Sequence, residues 1–342
     1  MLKNSSDRPL VSAVIPTRGR PDLLVCAIRS ALRQTWRELE VIVVLDGPDE
    51  ETVRRLAVIP DRRVRTVILP RISGGCAARN AGVRAACGEW IAFLDDDDEW
   101  LPGKIELQMD AVAQMHAWFP VITCRLIQQS STASRVLPPR VYQPAQPVAD
   151  YLFCRSGLSD PGGLMQTSTL LAARDLLLAI PFRDGLALHQ DWDWIIRVAA
   201  HDGVVVTMLA KPLSIWRVED GRATVSRSPG WQQSLAWIRG IRDLVSRRAF
   251  SSFVAVQCVW RARTSHAGLL ARLGILRAFL FEGRPEWRSL LHFAAFSLVP
   301  VRLRLALRHA LWSRQPAEEA TPGLTLAYSR GPARASLRRT SR

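Results

Sequence analysis

The sequence predicts an α/β fold, a Rossmann-like, mostly parallel sheet flanked by helices, with an arginine-rich helical extension at its C-terminal end. Three observations predict it. Short apolar runs of strand character alternate with segments of helical periodicity over the first hundred residues, polar residues cluster where three of those runs end, and basic charge gathers in the last third. With 342 residues, 48% hydrophobic and 23% charged, the composition is that of a globular protein long enough to bury a sizeable core.

Residues 10–15 form a short apolar strand that Pro16 ends. Over residues 22–36, Leu23, Leu24, Ala27, Ile28, Ala31 and Leu32 recur at helical spacing, with charge on the opposite face. Residues 41–45 read as a fully buried strand, halted by Asp46, Gly47 and Pro48. A short helix (50–58), a strand (64–69), a helix from Gly74 and Gly75 to Cys87 and a strand (90–94) complete a β-α-β-α-β-α-β order. That order implies parallel strands joined by covering helices. After Pro102 a helix is expected up to Trp118, because proline is tolerated in a first turn. The Ser-, Pro- and Gln-rich residues 128–147 read as a loop. Helices are expected near 169–178 and 191–200, a strand at 204–209, and helices beyond Trp231.

In such sheets ligands bind beyond the carboxyl ends of the strands. Pro16, Thr17 and Arg18 lie at one such end, Asp46 and Gly47 at a second, and Asp95, Asp96, Asp97 and Asp98 at a third. Four adjacent carboxylates repel one another, and a divalent cation supplies the compensation. Mg²⁺ or Mn²⁺ binds through one or two carboxylates and completes its shell with water and phosphate. A solvated acidic turn is the plainer alternative. Gly74, Gly75, Cys76, Ala77 and Ala78 open a helix that carries Arg79, which suits a pyrophosphate. Close helix–sheet packing explains the small residues too, but not the arginine. The run matches neither the dinucleotide-binding fingerprint nor the P-loop, which argues against nicotinamide enzymes and P-loop NTPases. Asp46 serves either a nucleobase or ribose, or a structural turn. His189, Gln190, Asp191, Trp192, Asp193 and Trp194 interleave two carboxylates with two indoles. They offer a general base beside apolar platforms for sugar rings, or an N-capped helix with core tryptophans.

Taken together, residues 11–20, 40–47, 74–82 and 90–104 resemble the family 2 glycosyltransferases of GT-A fold, in order and at matching spacing. Residues 166–169 and 189–197 resemble that family's acceptor half. The resemblance implies a donor half over 1–110 and an acceptor half over 111–226, and the residue pattern adds a basic helical extension over 227–315 and a disordered tail over 316–342. The resemblance also implies a nucleotide-sugar donor, with a UDP-sugar favoured, bound by Pro16, Arg18, Asp46, Arg79 and Asp96. Asp95 and Asp97 match the D-x-D metal ligands, for Mn²⁺ or Mg²⁺, and Asp191 matches the general base of an inverting transfer to a glycan or lipid-linked acceptor. Leu45, Pro48 and Gly19 depart from the family's usual Asp, Ser and Asn. The rival reading is a non-catalytic module that binds nucleotide-sugars or nucleic acid on the same scaffold.

The six cysteines are scattered singly, as expected of reduced thiols, and their spacing does not suit a zinc site. The polar first nine residues lack an apolar signal-peptide core, which points to the cytoplasm. Of the net charge of +15, nearly all resides in residues 231–342, with 19 arginines against five acidic residues. Leu303, Leu307 and Leu311 share a helical face beside Arg302, Arg304 and Arg308, a pattern that suits the anionic inner face of a cell membrane. Helices packed back on the catalytic domain are the alternative, and nucleic acid comes third because no recognised module for it is present.

Overall fold

The computed structural model describes residues 8–131, 133–157, 160–218, 230–299 and 303. Its first half follows the expected alternation: β1 (Val11–Thr17), α1 (Pro21–Leu32), β2 (Leu39–Leu45), α2 (Glu50–Ala57), β3 (Val64–Ile68), α3 (Gly75–Ala85) and β4 (Trp90–Phe93). β3, β2, β1 and β4 lie side by side and all pair in parallel.

The strand period of two sorts the apolar residues onto two faces. Val11, Ala13 and Ile15 of β1, with Val41, Val43 and Leu45 of β2, pack with Leu24, Ala27, Ile28 and Ala31 of α1. Val14, Ile42 and Val44 point the other way, onto α3 and the large second core. Because both faces of β1, β2 and β4 are covered, these strands are apolar over most of their length.

The second half is less regular. β5 (Asp98–Trp100), α4 (Lys104–Gln114), β6 (Phe119–Gln129), β7 (Ser134–Leu137), α5 (Val148–Phe153), β8 (Leu171–Ala173), α6 (Arg174–Ala179), α7 (Gln190–Ala199) and β9 (Val204–Arg217) follow. The sheet runs β3-β2-β1-β4-β8-β6-β9-β5, with β7 hairpinned on β6. Here parallel pairing (β6 with β9) mixes with antiparallel pairing (β4 with β8, β8 with β6, β5 with β9).

Four sequence expectations change in this half. Residues 128–147 are not wholly loop, since β7 pairs Leu137 with Leu126 and Ser134 with Gln129. The helix after Pro102 stops at Gln114, and Phe119 already belongs to β6. Residues 171–173 form a strand rather than the start of a helix, because Ile91 of β4 and Ile122 of β6 supply ladder partners on both sides. β9 also runs past the expected residue 209, with a bulge in the β6–β9 register that accommodates Pro212.

Beyond residue 230, α8 (Trp231–Gly240), α9 (Arg247–Phe253), α10 (Val259–Thr264), α11 (Leu269–Arg277) and α12 (Trp287–Leu298) fold back on the sheet layer. A π turn over Val254–Cys258 joins α9 to α10, and another over Ala278–Glu282 prolongs α11. One continuous core runs from Val14 and Phe93 through Trp194 and Ile195 to Phe250 and Phe279, so α8–α10 pack back on the α/β layers. The expected interfacial helix at 301–308 and the expected tail at 316–342 lie outside the described residues, apart from an exposed Leu303.

Candidate active site

β1 delivers Thr17 to the carboxyl edge of the sheet. Gly19 then takes a φ of +62°, a left-handed bend that glycine adopts without strain, and the chain turns into α1 behind Arg20. Thr17 Oγ1 donates to Asp96 Oδ2 at 2.8 Å. Arg20 Nη1 donates to Asp96 Oδ1 and to Asp97 Oδ2, both at 3.1 Å. Arg18 is exposed and Pro16 half-buried. Of the two arginines flanking Gly19, the bend therefore returns the second to the acidic turn.

The four aspartates do not share one environment. Their side chains are 24% exposed at Asp95 and 21% at Asp97, but 7% at Asp96. Asp98 is buried because it opens β5 and pairs with Trp216 of β9. Its Oδ2 accepts from Ser168 Oγ at 2.6 Å and from Gln166 Nε2 at 2.9 Å, while Oδ1 has no partner among the described residues. Burial, then the charges of Asp95 and Asp97, hold the Asp98 carboxyl well above its ordinary range. Burial also raises Asp96, against the pull of Arg20 and Thr17. Two carboxylates thus remain accessible and two are turned inward.

Among the described residues no group of three or more His, Cys, Asp or Glu side chains forms a self-contained metal cage. Asp95 and Asp97 suit a different arrangement. A hard cation held by one or two carboxylates takes its other ligands from a diphosphate and water. The donor set fits a metal shared with such a ligand.

α3 supplies the link across the edge. At Gly75 a β-carbon would stand 3.1 Å from Arg79 Nη1 and from Gln190 Oε1, so the glycine leaves room for their contact. Gly82, by contrast, serves packing, since a β-carbon there would collide with Val14. Arg79 Nη2 donates to Asp95 Oδ1 at 2.7 Å and Nη1 to Gln190 Oε1 at 2.8 Å. Burial works against the guanidinium charge, but Asp95 and Asp191 more than offset it. Asp191, in the first turn of α7, keeps part of its surface open. Crowding by protein raises its carboxyl, with Arg79 opposing and Asp95 adding to the rise. Asp46 ends β2 on the same edge. Its carboxylate accepts from the Ser73 N–H at 2.6 Å and the Gly74 N–H at 3.0 Å, holding the loop that leads into α3.

The other face of α7 is structural. Asp193, buried, accepts from Arg183 Nη1 (3.0 Å), Arg197 Nε (2.8 Å) and Trp237 Nε1 of α8 (3.1 Å). Trp194 is fully buried, donates to the Ile180 carbonyl at 2.8 Å and stacks on Phe182. His189 stacks on Trp192 with ring centroids 5.0 Å apart, touches Trp237 and Phe253, and meets Ser234 Oγ at 2.9 Å. Burial lowers its pKa to about 3, so the imidazole is neutral and acts as packing.

The edge therefore gathers Asp46, Arg79, Asp95, Asp96, Asp97 and Asp191, and leaves Arg18 at its solvent rim. Sequence reasoning assigned no individual role to Arg20, Thr17, Gln190 or the Asp98–Ser168–Gln166 group. The Arg-Gly-Arg run held the signal for Arg20. The others depend on contacts between residues 68 to 111 positions apart.

Comparison with known proteins follows these elements. Residues 12–146 match the model of the family described as glycosyl transferase family 2. The amylovoran biosynthesis glycosyltransferase AmsB of Erwinia amylovora is 24% identical over 283 residues, 80% of this chain and 91% of AmsB. The succinoglycan biosynthesis protein ExoO of Rhizobium meliloti is 42% identical over 102 residues, 30% of this chain and 29% of ExoO. Among solved structures, S. aureus TarS 1–349 in complex with UDP-GlcNAc aligns with a TM-score of 0.55 at 17% identity, covering 90% of this chain and 92% of TarS 1–349. That likeness concerns the fold. The family match over residues 12–146 takes in β1–β4, α3 and the acidic turn, so the likeness to glycosyl transferase family 2 covers the elements that build this edge.

Proposed function

We propose that the protein transfers a glycosyl group from a nucleotide-diphosphate sugar, with a UDP-sugar favoured, to a hydroxyl of a glycan or lipid-linked acceptor, inverting the anomeric centre. The setting is bacterial cell-surface polysaccharide or glycolipid biosynthesis, in the cytoplasm. AmsB is named for amylovoran biosynthesis, and an E. coli relative, WfgD, 28% identical over 134 residues, is named a UDP-Glc:α-D-GlcNAc-diphosphoundecaprenol β-1,3-glucosyltransferase. Those names support the class of donor and acceptor.

One observation carries the reading: Arg79 joins Asp95 of the acidic turn to Gln190, the neighbour of Asp191. The donor side (residues 1–110) and the acceptor side (111–226) thereby meet at one point. Pro16, Arg18 and Asp46 line the nucleoside end, Asp96 lies toward the ribose, and Arg79 lies toward the diphosphate. Asp95 and Asp97 would hold Mn²⁺ or Mg²⁺, which when bound offsets negative charge on the leaving nucleoside diphosphate.

The reaction breaks the bond between the anomeric carbon and a phosphate oxygen while the acceptor oxygen bonds to the opposite face of that carbon. Asp191 takes the proton from the acceptor hydroxyl. Its raised carboxyl is a stronger base than a free aspartate, and Arg79 nearby limits the rise. Ser168 and Gln166 hold Asp98, which fixes the backbone of the acidic turn through β5.

A thermal-shift screen tests the donor site. UDP, GDP, dTDP and CDP are each added with Mn²⁺, Mg²⁺ or EDTA, since a ligand bound to the folded state alone raises apparent stability. One nucleotide should stabilise in a metal-dependent way. No shift with any nucleotide, in folded protein, would transfer the weight to a non-catalytic module.

A further inference from the structure

α12 carries large apolar side chains on both its inward and its outward face. Its inward face buries Ser289 and His292 and packs Phe293 and Phe296 against the core, while Trp287, Leu290, Leu291 and Leu298 face outward, Leu298 being 77% exposed. At 100° per residue Trp287, Leu291, Ala294 and Leu298 fall in one narrow stripe, with Leu290 at its side. A helix whose outer face met only water would carry polar residues in that stripe. α11 repeats the pattern: Leu269, Leu270 (86% exposed) and Leu273 share an outward face, and Leu280 and Phe281 of the π turn continue it. The two elements are neighbours, since Phe279 stacks on Phe293 with ring centroids 4.5 Å apart. Water-facing surfaces seldom carry an unbroken set of large apolar side chains like this one.

The charge around the stripe has one sign. Arg272, Arg277, Arg284 and Arg288 are exposed along the same segment. The two acidic residues there are already engaged, Glu282 by Arg239 at 2.8 Å and Glu286 by Arg248 at 3.5 Å. No described helix is long and apolar enough to cross a membrane.

We propose that the α11–α12 face is a monotopic docking surface for an anionic lipid bilayer. The leucines, Phe281 and Trp287 enter the headgroup–acyl boundary, and the arginines pair with lipid phosphates. Trp287, with Arg288 over its ring at 5.1 Å, combines an apolar body with a polar edge, as suits that boundary. A second copy of the chain is a poorer occupant, because a two-fold contact would set four exposed arginines against their like. Residues 304–342 carry eight arginines against two glutamates, so they bring the same sign of charge. Docking by this face does not depend on the reaction assigned to the acidic edge.

The test is flotation of the full-length protein with vesicles of phosphatidylcholine, or of phosphatidylcholine mixed with phosphatidylglycerol, at low and high salt. The wild type should float with the mixed vesicles, less so at high salt, and hardly at all with phosphatidylcholine alone. The pairs Leu270→Ser/Phe281→Ser and Trp287→Ser/Leu291→Ser change exposed positions and should keep the circular dichroism spectrum and melting curve. Each should weaken vesicle partitioning by about tenfold or more. Arg277→Gln/Arg284→Gln should reduce the salt dependence. Absence of wild-type binding, or serine pairs that float like the wild type, would overturn the proposal. So would light scattering that shows a dimer dissociated by the serine pairs.

Discussion

Arg79 and Asp95 meet at 2.7 Å across the carboxyl edge of the sheet, and the other arm of the same guanidinium holds Gln190 at 2.8 Å. One buried fork thus ties the end of β4 to the start of α7. Lysine has a single point of charge and cannot serve both partners. Arg79→Lys should lower kcat/KM by about tenfold to a hundredfold, equal to about 1.4–2.8 kcal/mol of transition-state stabilisation. Steady-state transfer kinetics check this, and unchanged kinetics would remove Arg79 from the site.

Asp191 is the proposed base. Asp191→Asn should reduce transfer by about 10²–10⁴-fold while leaving nucleotide-induced stabilisation in place. In the wild type the acid limb of the pH–rate profile should lie above the ordinary aspartate value of 3.8, because burial raises this carboxyl. The asparagine variant should lose that limb. Full transfer by the variant would refute the assignment.

Asp97 is accessible and held by Arg20 at 3.1 Å. Asp97→Ala should abolish the metal-dependent part of the nucleotide thermal shift and leave the melting temperature of the unliganded protein close to wild type. A shift that persists and still responds to EDTA would point to other ligands.

Asp98 makes a prediction about stability. Its folded-state carboxyl is raised, so its stabilising contribution is fully present in acid, below the unfolded-state value, and is lost as pH rises through the folded-state value. At neutral pH the unfolded chain ionises this carboxyl freely, whereas burial beside Asp95 and Asp97 opposes that charge in the folded state, which costs stability. Asp98→Asn removes that charge and should stabilise the unliganded protein at pH 7 by on the order of 1 kcal/mol. The gain should shrink as the pH falls. Denaturant titrations at several pH values measure it, and a gain that grows in acid would contradict the sign.

Asp193, two positions from the proposed base, should behave differently. Asp193→Ala leaves Arg183, Arg197 and the Trp237 indole without their shared acceptor, and should destabilise the fold by about 3 kcal/mol. Chemical denaturation is the measurement. A variant as stable as wild type would mean that α8 does not clamp α7 through this residue.

The contrast between these two aspartates shows how far the sequence reached. It placed both in the first turn of one helix and left open whether each was a base or a structural group. In the structure Asp191 faces Arg79 and Asp95, while Asp193 faces α8. The sequence alone determined the parallel β1–β4 order and the position of the acidic turn after β4, because hydrophobic period and turn residues are local signals. It did not determine the strand state of residues 171–173, whose ladder partners come from β4 and β6. Nor did it divide the four aspartates into accessible and buried pairs, a division set when Asp98 enters β5 against β9. The choice of Arg20 over Arg18 followed from a left-handed bend at Gly19, and the outward apolar face of α12 followed from the core taking Ser289, His292, Phe293 and Phe296. Each of those outcomes depends on partners far away in the chain, and only the tertiary fold brings such partners within bonding distance.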